Sequence, residues 1–264
     1  MAAMQNVCDL DDPRVAPYRN LKDRELARDG GRFIAEGEMV VRRLLASGWE
    51  AESVLVADER AGRIAPLVSG DVSVYVAPHS LVNRIVGYTF HSGVMAVGRR
   101  KPSPSLDQAA AQWRDPVTLV ICPQTNNTEN LGAMIRIAAA LGCTAMILGP
   151  RSADPFYRQS IRVSMGAVFA LPIVRVPDMI GALHELRDRW GVQLIATVLA
   201  DDAEALSDAG RGPRIGVLFG GEAHGLDQAT IAACDRRVTI PMKGGIDSLN
   251  VAVSAGIVLH HFAR

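Results

Sequence analysis

Three short polar segments, each after an apolar run, carry the residues of this sequence whose types and spacing could do chemistry. The first segment, NNTENLGAMIRIAAALG, follows VTLVICPQ and contains Asn130 and Arg136. The second, GGEAHGL, follows RIGVLF and contains Glu222, and the third, PMKGGIDSLNVAVSAGIVL, follows RRVTI and contains Ser248 and Asn250. Open α/β sheets bind ligands at the carboxyl ends of their strands, so the three segments are candidates for a binding site.

Each segment alone also has an ordinary structural explanation, and that explanation is the better one when the segment is taken by itself. Thr128 or Asn130 can cap the helix that follows, and Ser248 can cap the last helix. Arg136 can be a surface arginine whose stem covers apolar neighbours. Glu222 can be a solvated carboxylate after two glycines, which let a backbone approach a ligand closely and adopt positive φ.

The elements that must position these segments form an α/β pattern. After residue 116, short apolar runs alternate with helical segments, which predicts a parallel sheet covered on both faces. The runs are VTLVICPQ, AMILG, LPIVRV, QLIATVL, RIGVLFGG and RRVTIPM, and the last segment, SLNVAVSAGIVLHHFAR, is predicted to be a helix. We therefore expect a second domain over residues 116–264.

The first hundred residues predict a smaller α/β domain. A Gly-Gly break precedes a predicted amphipathic helix that ends at Gly48. SVLVAD and VSVYVAP have the composition of short strands. We assign this domain to residues 1–98 and a linker to 99–115, because RRKPSPSLDQ is charged, then rich in Pro and Ser, and lacks periodicity.

Composition excludes several classes of protein. The four cysteines are widely spaced and form no CxxC pair, so neither a metal site nor a disulfide framework is predicted. No apolar run could span a bilayer, and the N-terminus lacks the pattern of a secretory signal, so we expect a cytoplasmic protein with reduced thiols. GxGxxG, GxxxxGK[ST] and GxSxG are absent, which argues against an ordinary dinucleotide fold, a P-loop enzyme and a serine hydrolase.

The order and spacing of the three segments together are far more specific than any one of them. N-x-G-A-x-x-R-x-A, then G-x-E-x-x-G-L, then I-P-M-x-G-x-x-x-S-L-N-V resembles the three motifs of the SpoU (TrmH-type) RNA methyltransferases of the SPOUT superfamily. RVSMGAVFALPIV also resembles the family between its first two motifs. The resemblance covers 117–264, and FIAEGEMVVRRLL resembles, less specifically, the small ribosomal-protein-like RNA-binding domain of many members.

The resemblance implies a fold, a cofactor and a reaction. It implies a parallel-sheet SPOUT domain with a trefoil knot, which binds S-adenosylmethionine, and a homodimer with its active site near the subunit interface. Gly220, Ile240 and Leu249 match positions that line the cofactor pocket, and Thr197 is expected beside it. The implied reaction moves a methyl group to the ribose 2′-hydroxyl of a nucleotide in folded ribosomal or transfer RNA.

The resemblance also implies roles for the polar residues. Arg136 matches the catalytic arginine, which either acts as a base, losing a proton that arginine normally keeps, or clamps the target phosphate and polarises the hydroxyl. Asn130 and Glu222 match residues that fix this arginine and the knot loops. Ser248 and Asn250 match a polar pair that orients the substrate or the arginine.

Several alternatives remain open at the level of sequence. A catalytically inactive RNA-binding protein with the same fold is one, and a nicotinamide-dependent oxidoreductase on an ordinary doubly wound fold is another.

A net charge of zero is unusual for a protein that binds RNA, although local patches decide binding. One candidate patch near the N-terminus contains acids that could cancel its field; its basic residues are Arg14, Arg19, Lys22, Arg24, Arg28 and Arg32. A second group is either a phosphate-binding flank or a set of solvated or interface charges: Arg151, Arg158 and Arg162.

Overall fold

The computed structural model describes residues 4–19, 21–28, 31–70, 72–222, 224–243 and 248–263. Its strands are β1 (Met4–Asn6), β2 (Arg32–Glu36), β3 (Ala51–Ala57), β4 (Ser73–Ala77), β5 (Val94–Arg99), β6 (Val117–Cys122), β7 (Ala145–Leu148), β8 (Ile173–Arg175), β9 (Gln193–Thr197), β10 (Glu204–Ala205), β11 (Arg214–Leu218) and β12 (Arg236–Thr239). Its α-helices are α1 (Ala16–Arg19), α2 (Asp23–Arg28), α3 (Glu38–Leu45), α4 (Asp58–Ile64), α5 (His79–Val86), α6 (Leu106–Ala110), α7 (Thr128–Ala140), α8 (Arg158–Val163), α9 (Met179–Trp190), α10 (Gln228–Ala232) and α11 (Val251–Phe262). Short 3-10 helices cover Pro13–Val15, Ala65–Leu67, Ala167–Phe169 and Leu206–Asp208.

The chain divides into two compact units. The first unit comprises Met1–Pro102 together with Pro155–Ala170, and the second comprises Ser103–Asp154 together with Leu171–Arg264. This division differs from the sequence-based boundaries 1–98, 99–115 and 116–264 in two ways. A segment from the second half of the chain belongs to the first unit, and most of the expected linker belongs to the second.

The first unit contains a mixed sheet with the strand order β1-β4-β3-β5-β2. The strand β5 is antiparallel to both β2 and β3, whereas β4 is parallel to β1 and β3. The sequence-based helix ending at Gly48 is wrong in its first part. The residues RFIAE instead form β2, because their apolar side chains are buried when the strand pairs with β5. Gly37, with a φ of 99°, then allows the chain to turn into α3.

Aromatic packing explains why residues 155–170 belong to the first unit. The ring of Phe156 lies 5.4 Å from that of Phe33 and 4.8 Å from that of Trp49. The ring of Phe169 lies 5.5 Å from that of Phe33, and the Trp49 indole donates a hydrogen bond of 3.1 Å to the Phe169 carbonyl. These apolar rings bury more area against one another than they could as parts of an exposed loop.

The second unit is built on the predicted parallel sheet. Among the described residues its strand order is β10-β12-β9-β11-β6-β7-β8, and every pair is parallel. The central strands are nearly continuous apolar runs, as expected of strands covered on both faces. The core contains Leu119, Ile147 and Leu194 of the sheet together with Leu183 and Leu186 of α9.

Residues 103–115 are part of this second unit and not a free linker. Ser105 and Gln108 form a capping box at the start of α6, with each side chain bonded to the other residue's backbone amide. Leu106, Ala109 and Trp113 are buried in the core. Sequence periodicity could not reveal this helix, because it is little more than one turn long.

The structure also describes the features on which the membrane and cysteine predictions depend, namely helix length and the state of the thiols. Within the described residues, the helices lack the length and apolar character needed to cross a bilayer. The cysteines are free thiols, with Cys8 exposed, Cys122 and Cys143 buried, and Cys234 partly buried.

Candidate functional site

The helix of the first polar segment has its N-cap one residue before Thr128, the earlier of the two caps that the sequence suggested. Asn127 is its N-cap, with Oδ1 accepting hydrogen bonds from the backbone amides of Glu129 (2.8 Å) and Asn130 (3.1 Å). Caps by Thr128 or Asn130 were therefore wrong predictions, because Asn127 already satisfies these first free amides. Asn130 therefore does not cap the helix, and its side chain is buried.

The last helix has its cap at Asn250 and not at Ser248. The Oδ1 of Asn250 accepts from the amides of Ala252 (2.9 Å) and Val253 (3.4 Å), so Val251 is the first helical residue. The Nδ2 of the same side chain donates a hydrogen bond of 3.0 Å to Oδ1 of Asn130. One amide group thus starts α11 and joins the third segment to the first.

The second polar segment closes on itself as a tight loop. The backbones of Gly221 and Gly225 exchange hydrogen bonds of 3.1 and 2.9 Å. A side chain at Gly220 would collide with the backbone of Gly225 and Leu226. A glycine is therefore required at position 220, where two parts of the loop backbone lie in close contact. Positive φ occurs at Gly225 (64°) and not at Gly220 or Gly221, where the sequence suggested it.

A cavity of about 510 Å³ lies where the three segments meet. Its lining comprises residues 123–127 after β6, Arg151, residues 220–222 and 224–227 after β11, and Val251 at the start of α11. Since β6 and β11 are neighbouring parallel strands, their carboxyl ends place the first two segments side by side. The third segment reaches the same place through the Asn250–Asn130 hydrogen bond.

The structure brings some of the predicted polar residues together and leaves others apart. Asn130 and Asn250 are in contact, and Glu222 lines the cavity with its side chain exposed. Arg136 is exposed on α7, and within the described part of the chain its guanidinium has no hydrogen bond or ion pair. Six residues turn a helix by about 600°, so Arg136 projects from a different face than Asn130. Ser248 is exposed before α11.

Three of the four predicted cofactor residues lie at neighbouring strand ends. Thr197 ends β9, Gly220 follows β11 and Ile240 follows β12, and these strands are adjacent in the order β12-β9-β11. The Thr197 hydroxyl donates a hydrogen bond of 2.7 Å to the Leu218 carbonyl, which joins the ends of β9 and β11. The fourth, Leu249, precedes α11 and is 37% exposed.

Sequence reasoning missed several residues of this region. Asp227 lines the cavity and caps α10, its Oδ1 accepting from the Thr230 amide at 2.8 Å. Hydrogen bonds from the side chain and the backbone amide of Thr230 hold the pKa of the Asp227 carboxyl below its usual value. An aspartate before a short helical run is a recognisable capping signal, so Asp227 could have been found. Leu199, 64% exposed after β9, offers no such signal.

The basic residues weighed as RNA contacts occupy different environments. Arg158 and Arg162 lie against the buried carboxylate of Glu36, at 3.6 and 3.7 Å, within the first unit. Arg151 instead lines the cavity of the second unit. Glu36 therefore gives Arg158 and Arg162 a structural partner within the first unit, whereas Arg151 lies 3.7 Å from the carboxylate of Asp227 in the second.

The predicted basic patch near the N-terminus is largely neutralised where its side chains are described. Four ion pairs account for this: Arg14–Asp12, Arg19–Asp11, Lys22–Glu25 and Arg32–Glu52. The side chains of Arg24 and Arg28 lie outside the described residues. One of these acids, Glu25, lies within the patch, and Asp11, Asp12 and Glu52 supply the other carboxylates.

Comparison with known proteins identifies the family. The sequence model described as the SpoU rRNA Methylase family matches residues 117–260. The chain is 36% identical to the protein named uncharacterized tRNA/rRNA methyltransferase Rv0881 of Mycobacterium tuberculosis, over 99% of this chain and 92% of the relative. It is 31% identical to the 23S rRNA (guanosine-2′-O-)-methyltransferase RlmB of Acinetobacter baylyi, over 78% of this chain and 85% of that protein.

Solved structures agree with this assignment. The SpoU methyltransferase AviRb of Streptomyces viridochromogenes, in complex with the cofactor AdoMet, superimposes with a TM-score of 0.82 and 26% identity, over 96% of this chain and 98% of that one. The matched range contains the three polar segments up to residue 260, and the structural match extends over both units. The chain belongs to the SpoU rRNA methylase family.

Proposed function

We propose that this protein methylates the ribose 2′-hydroxyl of a nucleotide in ribosomal or transfer RNA, with S-adenosylmethionine as the methyl donor. The observation that carries the proposal is the convergence of the three polar segments on one cavity, joined by the Asn250–Asn130 hydrogen bond. Membership in the SpoU rRNA methylase family makes the chain an RNA methyltransferase. The relative RlmB of Acinetobacter baylyi is named as a guanosine-2′-O-methyltransferase, which supports the choice of the ribose hydroxyl.

The strand ends of the second unit fit S-adenosylmethionine. Thr197, Gly220 and Ile240 lie at three adjacent carboxyl ends, which is where open parallel sheets bind their ligands. Leu199 and Leu249 are exposed apolar side chains that the flat face of a purine would cover. We assign the cofactor to these residues, and the AdoMet complex of AviRb supports this assignment. When bound, this cofactor supplies a methyl group on a reactive sulfonium centre.

The residues of this chain then have to align the ribose hydroxyl and remove its proton. A hydroxyl is a poor nucleophile at neutral pH, so alignment and proton removal account for most of the catalysis. We assign Arg136 to clamping the target phosphate and polarising the hydroxyl, because arginine keeps its proton in proteins and this side chain is exposed. Asn130, Glu222, Ser248 and Asn250 would hold the arginine and the loops in position.

We also propose a homodimer formed through the exposed face of α11. Val253 and Ile257, about one turn apart on this helix, are 51% and 40% exposed, which is unusual for apolar residues of a helix. Val258, which follows Ile257, is buried in the protein itself and is not part of this face. A second copy would cover these side chains and bring another set of polar residues to Arg136. Sedimentation equilibrium at micromolar concentration should give twice the monomer mass, and a monomer alone would contradict the proposal.

Two further features belong to the same proposal. The trefoil knot is supported by the path of the chain from β11 to β12, on the far side of β9, and back to α11, which packs on α7. An RNA-binding role for the first unit is supported only by its resemblance to ribosomal-protein-like domains, since its described basic patch is paired with acids. We expect the protein to act in the cytoplasm.

The decisive experiment compares modified nucleosides in ribosomal and transfer RNA from cells with and without this gene. Mass spectrometry should find one 2′-O-methylated nucleoside missing from the cells that lack the gene. The purified protein should restore it in RNA from those cells when S-adenosylmethionine is added. A methyl group found on a base would contradict ribose methylation. RNA binding without any methyl transfer would favour the inactive RNA-binding alternative.

A further inference from the structure

The cavity between the first two polar segments presents an arginine that the proposed catalysis leaves without a role. Among the lining residues that the structure describes, Arg151 is the one lysine or arginine. Its side chain is 66% exposed and forms an ion pair with Asp227, with Nη2 3.7 Å from Oδ2. The cavity, at about 510 Å³, is within the range of pockets that enclose small ligands, and it is large enough for a nucleotide.

The loop that carries Arg151 is held rigidly against the first polar segment. The Ser152 hydroxyl donates to the Cys122 carbonyl (3.0 Å) and accepts from the Thr125 amide (3.2 Å), and all three residues are buried. The Ala153 amide donates to the Thr125 carbonyl at 2.8 Å. The Arg175 guanidinium donates to the carbonyls of Ser152 and Ala153, at 3.0 and 3.1 Å. The backbone of Arg151 is thus fixed, while its side chain remains free to move.

The partner of Arg151 is fixed as well, but the pair itself is weak. One oxygen of Asp227 is held by the Thr230 amide in the cap of α10, so the carboxylate cannot follow the guanidinium if it moves. Both side chains are more than half exposed and separated by 3.7 Å, and exposed pairs of this kind contribute little. A phosphate can accept two parallel hydrogen bonds from a guanidinium, which makes it a stronger partner than this carboxylate.

We propose that Arg151 binds a phosphate of the RNA at the mouth of this cavity, and that Asp227 holds its guanidinium there until the phosphate displaces the carboxylate. The inference rests on the proposed function, because it takes RNA as the substrate. It makes Arg151 a positioning residue that places the target nucleotide beside Glu222. The role proposed for Arg151 is not extended to Arg158 and Arg162, which form ion pairs with Glu36 in the first unit.

Two substitutions should change RNA affinity in opposite directions. Arg151→Gln should raise the dissociation constant for RNA on the order of tenfold, because a charge-assisted hydrogen bond is lost. Asp227→Asn should lower it about two- to fivefold, because the competing carboxylate is removed. Asparagine caps a helix as well as aspartate does, so Asp227→Asn leaves α10 intact. In the Arg151→Gln background the second substitution should give little further gain, since its effect acts through the guanidinium.

The measurement is fluorescence anisotropy of the full-length protein with 23S ribosomal RNA fragments and with transfer RNAs, all transcribed without modification, at several salt concentrations. The slope of log affinity against log salt should become shallower by roughly 0.7 to 0.9 in Arg151→Gln, as expected for one phosphate contact. Calorimetry with S-adenosylmethionine should give unchanged affinity in all variants. The matched control is another exposed pair of the second unit, Arg189–Asp107, whose Arg189→Gln and Asp107→Asn variants should bind RNA as the wild type does.

Each contrary outcome has a distinct meaning. Unchanged affinity and salt slope in Arg151→Gln would overturn the inference, as would an equal weakening of RNA binding by Asp227→Asn. If Asp227→Asn raised RNA affinity equally with and without Arg151, the claim that a phosphate displaces the Asp227 carboxylate from this arginine would be overturned. Wild-type binding of RNA without methyl transfer would contradict the proposed function and leave the role of Arg151 supported. Absence of RNA binding by the wild type would overturn both.

Discussion

At the scale of single residues, side chains of the same type have different tasks because their surroundings differ. Asn127 and Asn250 each cap a helix, and Asn250 also reaches another segment, through its bond to Asn130. Arg136 is exposed without a partner in the described part of the chain, whereas Arg162 is placed against a buried carboxylate. Exposure and partners, more than residue type, therefore separate candidates for substrate binding from residues that maintain the fold.

The assignment of Arg136 leads to a test of catalysis. Arg136→Ala should lower the rate of methyl transfer at least a hundredfold, because clamping and polarisation of the hydroxyl are lost. Binding of S-adenosylmethionine should not change, since Arg136 is on α7 and the cofactor residues are at the ends of β9, β11 and β12. Calorimetry and a transfer assay on one preparation measure the two effects. Arg136→Lys is the control that keeps the charge, and near-normal turnover in Arg136→Ala would refute the assignment.

The buried thiols lead to a test of stability against pH. Burial raises the pKa of Cys122 to about 12 and that of Cys143 to about 11, from an ordinary value of 9.0. The unfolded chain releases these protons first, so their stabilising effect is complete below pH 9 and is lost as the pH rises towards the folded values. Each thiol should account for about 1 kcal/mol of lost stability at pH 10.

Urea unfolding at pH 8 and pH 10 measures this effect. The wild type should lose more stability between the two pH values than a Cys122→Ala, Cys143→Ala double variant does. In the native wild-type protein a thiol reagent should modify the exposed Cys8 first. Equal losses in both proteins would show that the buried thiols do not contribute.

At the scale of elements, the ends of helices and strands decide where chemistry can occur. The helices α7 and α11 pack on each other, and their first turns are joined by Asn130 and Asn250. The ends of β6 and β11 supply two walls of the cavity, because adjacent parallel strands end at the same edge. The site therefore depends on the caps of two helices as much as on the polar residues themselves.

Two substitutions at Asn250 separate its two tasks. Asn250→Ala removes both the cap and the bond to Asn130, and should lower the free energy of unfolding by about 1 to 2 kcal/mol. Asn250→Ser keeps a capping oxygen but is too short to reach Asn130, so it should recover about half of that loss. Denaturant unfolding gives the free energies. If both variants reduce transfer equally, the bond to Asn130 matters for the site; normal transfer in Asn250→Ser would limit Asn250 to capping.

At the scale of the whole molecule, the two units share one chain in an interleaved way. Residues 155–170 leave the second unit and supply Phe156 and Phe169 to the aromatic cluster of the first. Residues 103–115 supply Leu106, Ala109 and Trp113 to the core of the second. A cut at residue 115, which the sequence alone suggested, would therefore remove part of that core.

A fragment beginning at Ser103 is the better test of the separate roles of the units. It keeps the core of the second unit and the cofactor residues, so S-adenosylmethionine should bind within about threefold of the full-length affinity, by calorimetry. Phe156 and Phe169 lose their partners in this fragment, so it should be less soluble unless both are replaced by serine. A fragment beginning at 116 should unfold more easily. Equal stability of the two fragments would contradict the assignment of residues 103–115 to the core.

The sequence by itself determined the parallel sheet of the second unit and the polar residues that follow its strands. It could do so because buried parallel strands are continuous apolar runs and because the three motifs are local in sequence. It placed α7 and α11 correctly to within a few residues, although not their caps, since several adjacent polar residues were able to cap each helix.

Only the tertiary structure decided which of these residues meet. The contact of Asn250 with Asn130 spans 120 residues, and the rings of Phe156 and Phe33 meet across the predicted domain boundary. Arg151 lines the cavity of the second unit, whereas Arg158 and Arg162 pair with Glu36 in the first, although all three are close in sequence. Local patterns report periodicity and capping within a few turns, whereas burial and long-range pairing depend on how the units fold back on themselves. The physical reason is that these contacts are selected by area buried and hydrogen bonds formed in the folded chain, which no short stretch of sequence contains.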